Sequence, residues 1–590
     1  MHIMEGFLPI GWAVFWTLLC IPFLAYGIKA MRRLFAEHPE KKLSLALSGA
    51  FIVILSSLKI PSVGSSSHPT GTGMSVMLSG PAITAVICTI VLLFQGTFMA
   101  HGGFTTLGAN VFSMGIAGPF AAYAVFRILR KGKVNATATV FVTVLVADLV
   151  TYLVTAMQLA LRALTESPDL VFIDAYLKFF YVFAITQIPI AIAESVLMVL
   201  FFRYLADIRP ELVEDIGYTS AYNTKSILDS EDKKKSRSRL MLILFAIALA
   251  ALIVIVYITT FFSDIGGADD AGATAIFEMT GNDRWTDNLI QLGEFGISIL
   301  FIIQTAIGVL ILAAVLYFLL RKDHDHGAEF NTVDTAAYRS PMFRWSPIAK
   351  LFLVLSLLVL NIASSSIWMS VFSGIIGLSL FLYGSSLRPP SVMMKLFIYA
   401  QAFIIIAALL FAVVLPAENE IVMTITLFGL KINFTDAGVS FAILIYARAT
   451  AALLLMFAFA VSTPVPHLSN ALKKLKLPDV FVEMMVLIYR YTFLLMESAE
   501  RMHLAAECRF GYSGYGKSMR TTSKLFVGVF MRSLDTAERG QVTLQCRNYR
   551  GEFKSLSEYD KVSKWPTVLC ALLVCAAVIF FIMLWKEVLL

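Results

Sequence analysis

Hydrophobic positions in this chain gather into long unbroken runs instead of the alternating or one-in-three patterns of half-buried soluble elements. Runs of about 20 apolar residues recur, such as Leu43 to Ile60, Ala82 to Ala100, Leu240 to Phe262 and Val568 to Trp585. Each can cross a bilayer as a helix, because a helix satisfies its own backbone hydrogen bonds where no water is present. The pattern predicts an all-α polytopic membrane protein with roughly a dozen transmembrane helices. Two polar stretches interrupt it and divide the chain into a first membrane module, 1–210, a linker, 211–239, a two-span module, 240–322, a second linker, 323–345, and a third membrane module, 346–590.

Composition agrees: 58% of the 590 residues are hydrophobic and 15% charged, which excludes ordinary water-soluble domains. No basic leader or small-residue cleavage site precedes the first run, which begins by Phe7 and ends at Arg32 and Arg33, so it is expected to be a retained span. The six cysteines form no CxxC pair and four lie in apolar runs, so neither a disulfide framework nor a zinc site is expected.

The net charge of +7 matters less than its placement. Arg32/Arg33 with Lys41/Lys42, the stretch Arg127 to Lys133, Lys233 to Arg239, Arg321/Lys322, and Lys473 to Lys564 hold most basic residues, and the positive-inside rule assigns all five to the cytoplasm. The segment Asp264 to Glu294 carries seven acids against the single base Arg284, which fits the outside. With Arg32 and Arg33 inside, the N-terminus is outside, and the span 43–60 returns the chain there and delivers His68. His2 and His68 are therefore expected on one face. The next cytoplasmic cluster requires residues 69–100 to cross an even number of times, which a broken pair of helices around Gly71, Gly73, Gly80 and Pro81 would satisfy.

Three stretches in the first module carry a family resemblance: Met1-His-Ile-Met-Glu-Gly-Phe-Leu-Pro9, Ser67-His-Pro-Thr-Gly-Thr-Gly73 and His101-Gly-Gly-Phe-Thr-Thr-Leu-Gly-Ala-Asn-Val-Phe-Ser-Met-Gly115. They resemble the substrate-specific M component of energy-coupling-factor cobalt and nickel importers. Gly267-Ala-Asp-Asp-Ala271 and Gln304-Thr-Ala-Ile-Gly308 resemble the small N component. Tyr489-Arg-Tyr-Thr-Phe493, Glu507-Cys-Arg-Phe-Gly-Tyr512 and Gln545-Cys-Arg547 resemble the transmembrane-coupling Q component.

The resemblance implies a metal held by the amine of Met1, the amide and imidazole of His2, and His68. An amine, the adjacent amide and the imidazole beyond it form fused chelate rings, a nitrogen-rich set suited to Co(II) or Ni(II) over Mg or Ca. His101 could add a ligand, stand behind these ligands with Asn110, or serve as a structural histidine. It also implies two amphipathic cytoplasmic helices whose Arg509 and Arg547 dock into a separate ABC-type ATPase dimer, where a guanidinium can pair bidentately with a carboxylate.

The expected function is ATP-driven cobalt import across the plasma membrane, supplying cobalamin synthesis, with nickel as the alternative cargo and an ATP-independent secondary metal transporter as the rival class. No resident cofactor, no covalent chemistry and no nucleic-acid partner are expected, and the partner subunit consumes the ATP. Gly511-Tyr-Ser-Gly-Tyr-Gly-Lys-Ser518 matches the phosphate-binding pattern GxxxxGKS literally, but it follows a helix-like stretch where a working P-loop follows a strand. Asp148, Glu194 and Arg448 lie inside spans, are costly in lipid, and are expected to face protein or water, as packing partners or as guides when the first module tilts.

Overall fold

The computed structural model describes residues 2–208 and 336–589, apart from residues 6, 40, 58–59, 63–64, 99–100, 167–171, 365, 415–420, 428–429, 514 and 547–563. The expected two-span module 240–322, its acidic segment, the linker 211–239 and Arg547 lie outside the described residues, as does Met1.

The described membrane part is built of helices. Seven helices among the described residues are long and apolar enough to cross a bilayer, and Pro81–Thr97 and Pro347–Ala363 are shorter apolar helices. The first, α1 (Ile10–Glu37), begins after Pro9 and buries Ala13, Trp16, Cys20, Gly27 and Met31. Those positions share one helical face. The opposite face leaves Val14, Phe15, Leu18, Ile21 and Tyr26 exposed, as a lipid-facing helix requires. By contrast α2 (Lys41–Ser56) buries 13 of its 16 residues and is a central helix.

Beyond α2 the chain forms the two halves of a broken pair, α3 (Thr72–Ser79) and α4 (Pro81–Phe98). Gly80 takes φ +77 between them, a conformation that costs glycine little. Pro81 then opens α4 at a position where its missing N–H is not needed. Helix α5 (Leu107–Lys131) contains a π-helical stretch, Val111–Ala117, and α6 (Ala136–Glu166) and α7 (Phe172–Ile208) pack along each other. Gly108 at the start of α5 lets that helix touch α1, since a Cβ there would collide with Thr17, and Cys20 Sγ donates to the Gly108 carbonyl at 3.2 Å.

A small antiparallel sheet caps this half, in the order β1 (His2–Ile3), β3 (Ser65–Ser67), β2 (Ile60–Ser62). His2 stands opposite Ser66, and Ile60 opposite Ser67.

The C-terminal half comprises α8 (Pro347–Ala363), α9 (Ile367–Gly384), α10 (Ser391–Val414), α11 (Asp436–Ser462), α12 (Val465–Lys474), α13 (Asp479–Cys508), α14 (Tyr515–Cys546) and α15 (Lys564–Leu589). Ser346 caps α8, its hydroxyl accepting from the Ala349 amide. The hairpin of β4 (Ile421–Leu427) and β5 (Leu430–Thr435) belongs to a separate compact unit and is irregular between Ile421 and Met423.

Cations inside this half end on carbonyls. Arg448 donates to the Ser364 carbonyl at 2.8 Å, and Lys350 to the carbonyls of Met342 and Ser462. These contacts keep charge away from lipid. The two halves meet through aromatic contacts: Phe51 on α2 lies 4.8 Å from Phe526, Phe201 on α7 lies 4.9 Å from Phe530, and Phe94 on α4 stacks 5.7 Å from Tyr489 (ring centroids).

Candidate metal centre

Pairing of β1 with β3 carries His2 to the residues just ahead of His68, and that short register match closes most of the sequence distance between them. Strands of two and three residues need other support. Asn110, at the edge of the π-helical stretch, supplies it by accepting from the Ile3 amide at 2.7 Å and donating to the Ile3 carbonyl at 3.1 Å. Thr106 Oγ1 donates to the same carbonyl at 2.9 Å. The loop after His101 is held by Glu5, whose carboxylate accepts from the Thr105 amide and hydroxyl. A Cβ at Gly103 would collide with that carboxylate, so the glycine is a steric requirement. Burial pushes the Glu5 carboxyl above its ordinary pKa, against the opposing pull of its hydrogen bonds from Thr105.

The result is a cluster of three buried imidazoles. His2 and His68 stack with centroids 4.2 Å apart, and His101 stands edge-on to both, at 4.3 and 4.9 Å. One ring nitrogen from each lies within 4.8 Å of the others. His101 Nε2 is 3.1 Å from His2 Nδ1 and 2.9 Å from Ser66 Oγ.

His68 Nδ1 is 2.9 Å from the Pro69 carbonyl, which only accepts, so that nitrogen carries the hydrogen and Nε2 keeps its lone pair. Behind the loop, Glu194 on α7 receives the Thr70 amide at 2.6 Å and the Gly71 amide at 2.8 Å. Three imidazoles buried together can offer neutral ring nitrogens to a divalent transition metal and offer little to Mg or Ca, which take oxygen ligands.

Among the residues singled out by sequence, His2 and His68 come together as expected, and His101 stands beside them within the same cluster. Asn110 acts on the backbone that presents His2. Ser66 and Thr106 carry no sequence signal, because a lone hydroxyl in a polar loop looks like any other. Glu194 and Asp148 are visible as ionisable residues within spans; that they bond each other, and that Glu194 takes the Thr70 and Gly71 amides more than 120 positions away, is not. Arg509 lies elsewhere, at the C-terminal cap of α13, and the glycine-rich stretch after it follows that helix, not a strand.

Three family descriptions match adjoining segments: "Cobalt uptake substrate-specific transmembrane region" over residues 2–212, "Cobalt transport protein component CbiN" over 234–329, and "Cobalt transport protein" over 338–559. A putative fused cobalt transport protein CbiMQ of Methanocorpusculum labreanum is 32% identical over 93% of this chain and 94% of its own length. A putative cobalt transport protein CbiM of Methanococcus voltae is 53% identical over 37% of this chain and 96% of its own. A solved transition metal transporter matches at 24% identity over 35% of this chain and 99% of its own, with a TM-score of 0.32. Because the fused relative is matched almost from end to end, in a chain whose segments match the cobalt transport families in turn, this protein belongs to the fused cobalt transporters of the energy-coupling-factor type.

Proposed function

We propose that the chain loads Co(II) at an extracytoplasmic pocket made by His2 and His68, joined by the amine of Met1 and the amide of His2, and that a cytoplasmic ABC-type ATPase dimer drives its release inward. The first 210 residues bind the metal, residues 240–322 assist loading, and residues 346–590 convert closure of the ATPase into reorientation of the first module, with Arg509 and Arg547 as the docking points. In this reading the chain sits in the plasma membrane with its N-terminus outside and supplies cobalamin synthesis. The observation that carries the reading is the buried convergence of His2 and His68, which needs a strand from one end of the module and a loop beyond α2 to meet.

The test measures radiocobalt uptake by cells expressing the chain with and without an ATPase subunit whose Walker motifs are intact or disabled. Uptake is expected only with the intact ATPase, and the purified chain is expected to hold one Co(II) that excess Ni(II) displaces incompletely. Uptake independent of the ATPase would replace this reading with a secondary transporter.

Asn110 offers a test of how the pocket is built. Replacing Asn110 with alanine removes both bonds to Ile3. The expected loss of Co(II) affinity is about ten- to hundredfold, the usual effect of removing a residue that orients a ligand. A titration of the purified chain against a competing chelator reads it, and an unchanged affinity would mean that the β1–β3 pairing and the Thr106 hydroxyl suffice to set His2.

A further inference from the structure

Lys42 and Glu483 are 441 positions apart, yet Lys42 Nζ donates to Glu483 Oε2 at 2.6 Å, with side chains 11% and 4% exposed. The pairs Arg33–Glu37 and Arg501–Glu497 differ in kind: each spans one turn of a single helix at an exposed surface, where an ion pair contributes little. A buried pair such as Lys42–Glu483 is seldom retained for stability, since two apolar side chains often serve as well, whereas removing one partner strands a charge. Its best-attested use is to fix the register between two elements.

Its setting fits that use. The pair joins α2 of the metal-binding half to α13 of the coupling half. Two turns along α2, a Cβ on Gly49 would meet Ile488 of α13 at 2.7 Å, so these helices are in close contact and one position of sliding would break the fit. From Lys42 to Ser56, α2 runs about 21 Å. At its far end Ser56 Oγ accepts from Gln95 Nε2, and β2, which pairs with the strand leading into His68, begins four residues later. From Glu483, α13 runs on to Arg509 at its other end.

We propose that the Lys42–Glu483 pair is the positioning contact through which the coupling half keeps the metal-binding half in register during transport. Its charge complementarity is required for uptake and dispensable for binding the metal. This rests on the reading of the pocket and of α13 given above.

The test uses the full chain with its ATPase and compares Lys42→Glu, Glu483→Lys, the double reversal carrying both, and a double variant with Lys42→Met and Glu483→Met. Each single reversal is expected to lower radiocobalt uptake on the order of tenfold. Co(II) affinity of the purified chain should stay within about twofold, because the pair is remote from the imidazoles. The double reversal should regain most of the uptake, and the double methionine variant should fold and bind Co(II) while transporting as poorly as the single reversals.

Parental uptake in either single reversal, or in the double methionine variant, would overturn the proposal. If the single reversals fail to accumulate in the membrane, the two charge-balanced doubles decide. Uptake that survives His68→Ala overturns the pocket reading without touching the reversal series, which is read on uptake itself. Uptake that needs His68 and ignores the reversals overturns the pair alone.

Discussion

Replacing His68 with alanine is expected to abolish cobalt accumulation and to weaken Co(II) binding by the purified chain well over a hundredfold, beyond the ten- to hundredfold typical of losing a residue that merely orients a ligand. His68 belongs to the cluster through a ring whose Nδ1 bonds the Pro69 carbonyl, so the proposed pocket takes its Nε2. The other two imidazoles of the cluster, on His2 and His101, are already in place, so a small residue here removes one of three nitrogens and leaves a polar cavity beside them. His2→Ala should behave alike, since it removes an imidazole from the same cluster and one ring of the proposed chelate. The sheet should survive both substitutions because strand pairing uses the backbone of residues 2–3 and 65–67. Equal membrane yield and melting temperature would show this. Competition with a chelator of known affinity measures the binding, and parental uptake in both variants would refute the pocket.

The second large effect is expected at Glu194. Its carboxylate takes the amides of both Thr70 and Gly71, two and three residues past His68, and all three residues are buried. Truncation to alanine leaves two buried N–H groups without that acceptor, at about 1–3 kcal/mol each. Much of that cost falls on the loop, where Gly71 holds φ +68 and gains nothing from regular secondary structure. Glu194→Ala is therefore expected to lower the melting temperature by several degrees. It should also cut Co(II) affinity at least about tenfold. Glu194→Gln should lie between, because its single carbonyl oxygen satisfies one amide well and turns an N–H toward the other. Thermal melts alongside Co(II) titrations of the two variants make the measurement. An alanine variant with parental binding would mean that the loop holds its shape without the carboxylate.

Much of the architecture could be read from residue order alone. Apolar runs marked the helices because burial in lipid demands them, and Gly80-Pro81 marked the break between α3 and α4, since glycine tolerates φ +77 and proline forgoes an amide. The shared face of His2 and His68 was expected from counting crossings between basic clusters, and their rings stack 4.2 Å apart beside the sheet. His101 was harder to place. Its approach depends on the Gly102-Gly103 turn and on Glu5 occupying the space a Cβ would fill, a steric relation between loops about a hundred positions apart. Ion pairs across distant helices are similarly silent, as no local pattern ties Lys42 to Glu483. Asp148, Glu194 and Arg448 stood out as costly in lipid, but not what meets them: Glu194 bonds the Asp148 carboxyl as well as the amides of Thr70 and Gly71, and Arg448 reaches the Ser364 carbonyl, and backbone is the same at every position. The two-span segment and Arg547 remain expectations from sequence.

The pairing of β1 with β3, locked by Asn110, has a consequence for biogenesis. His2 and its partner strand β3 are made well before residue 110, so the leading strand can pair early but is locked by Asn110 only later. At about 5–20 residues per second, translation leaves the leading strand waiting for several seconds. During that interval the leading strand is unlocked, and the proposed pocket can take its final shape only when the helix carrying Asn110 has inserted.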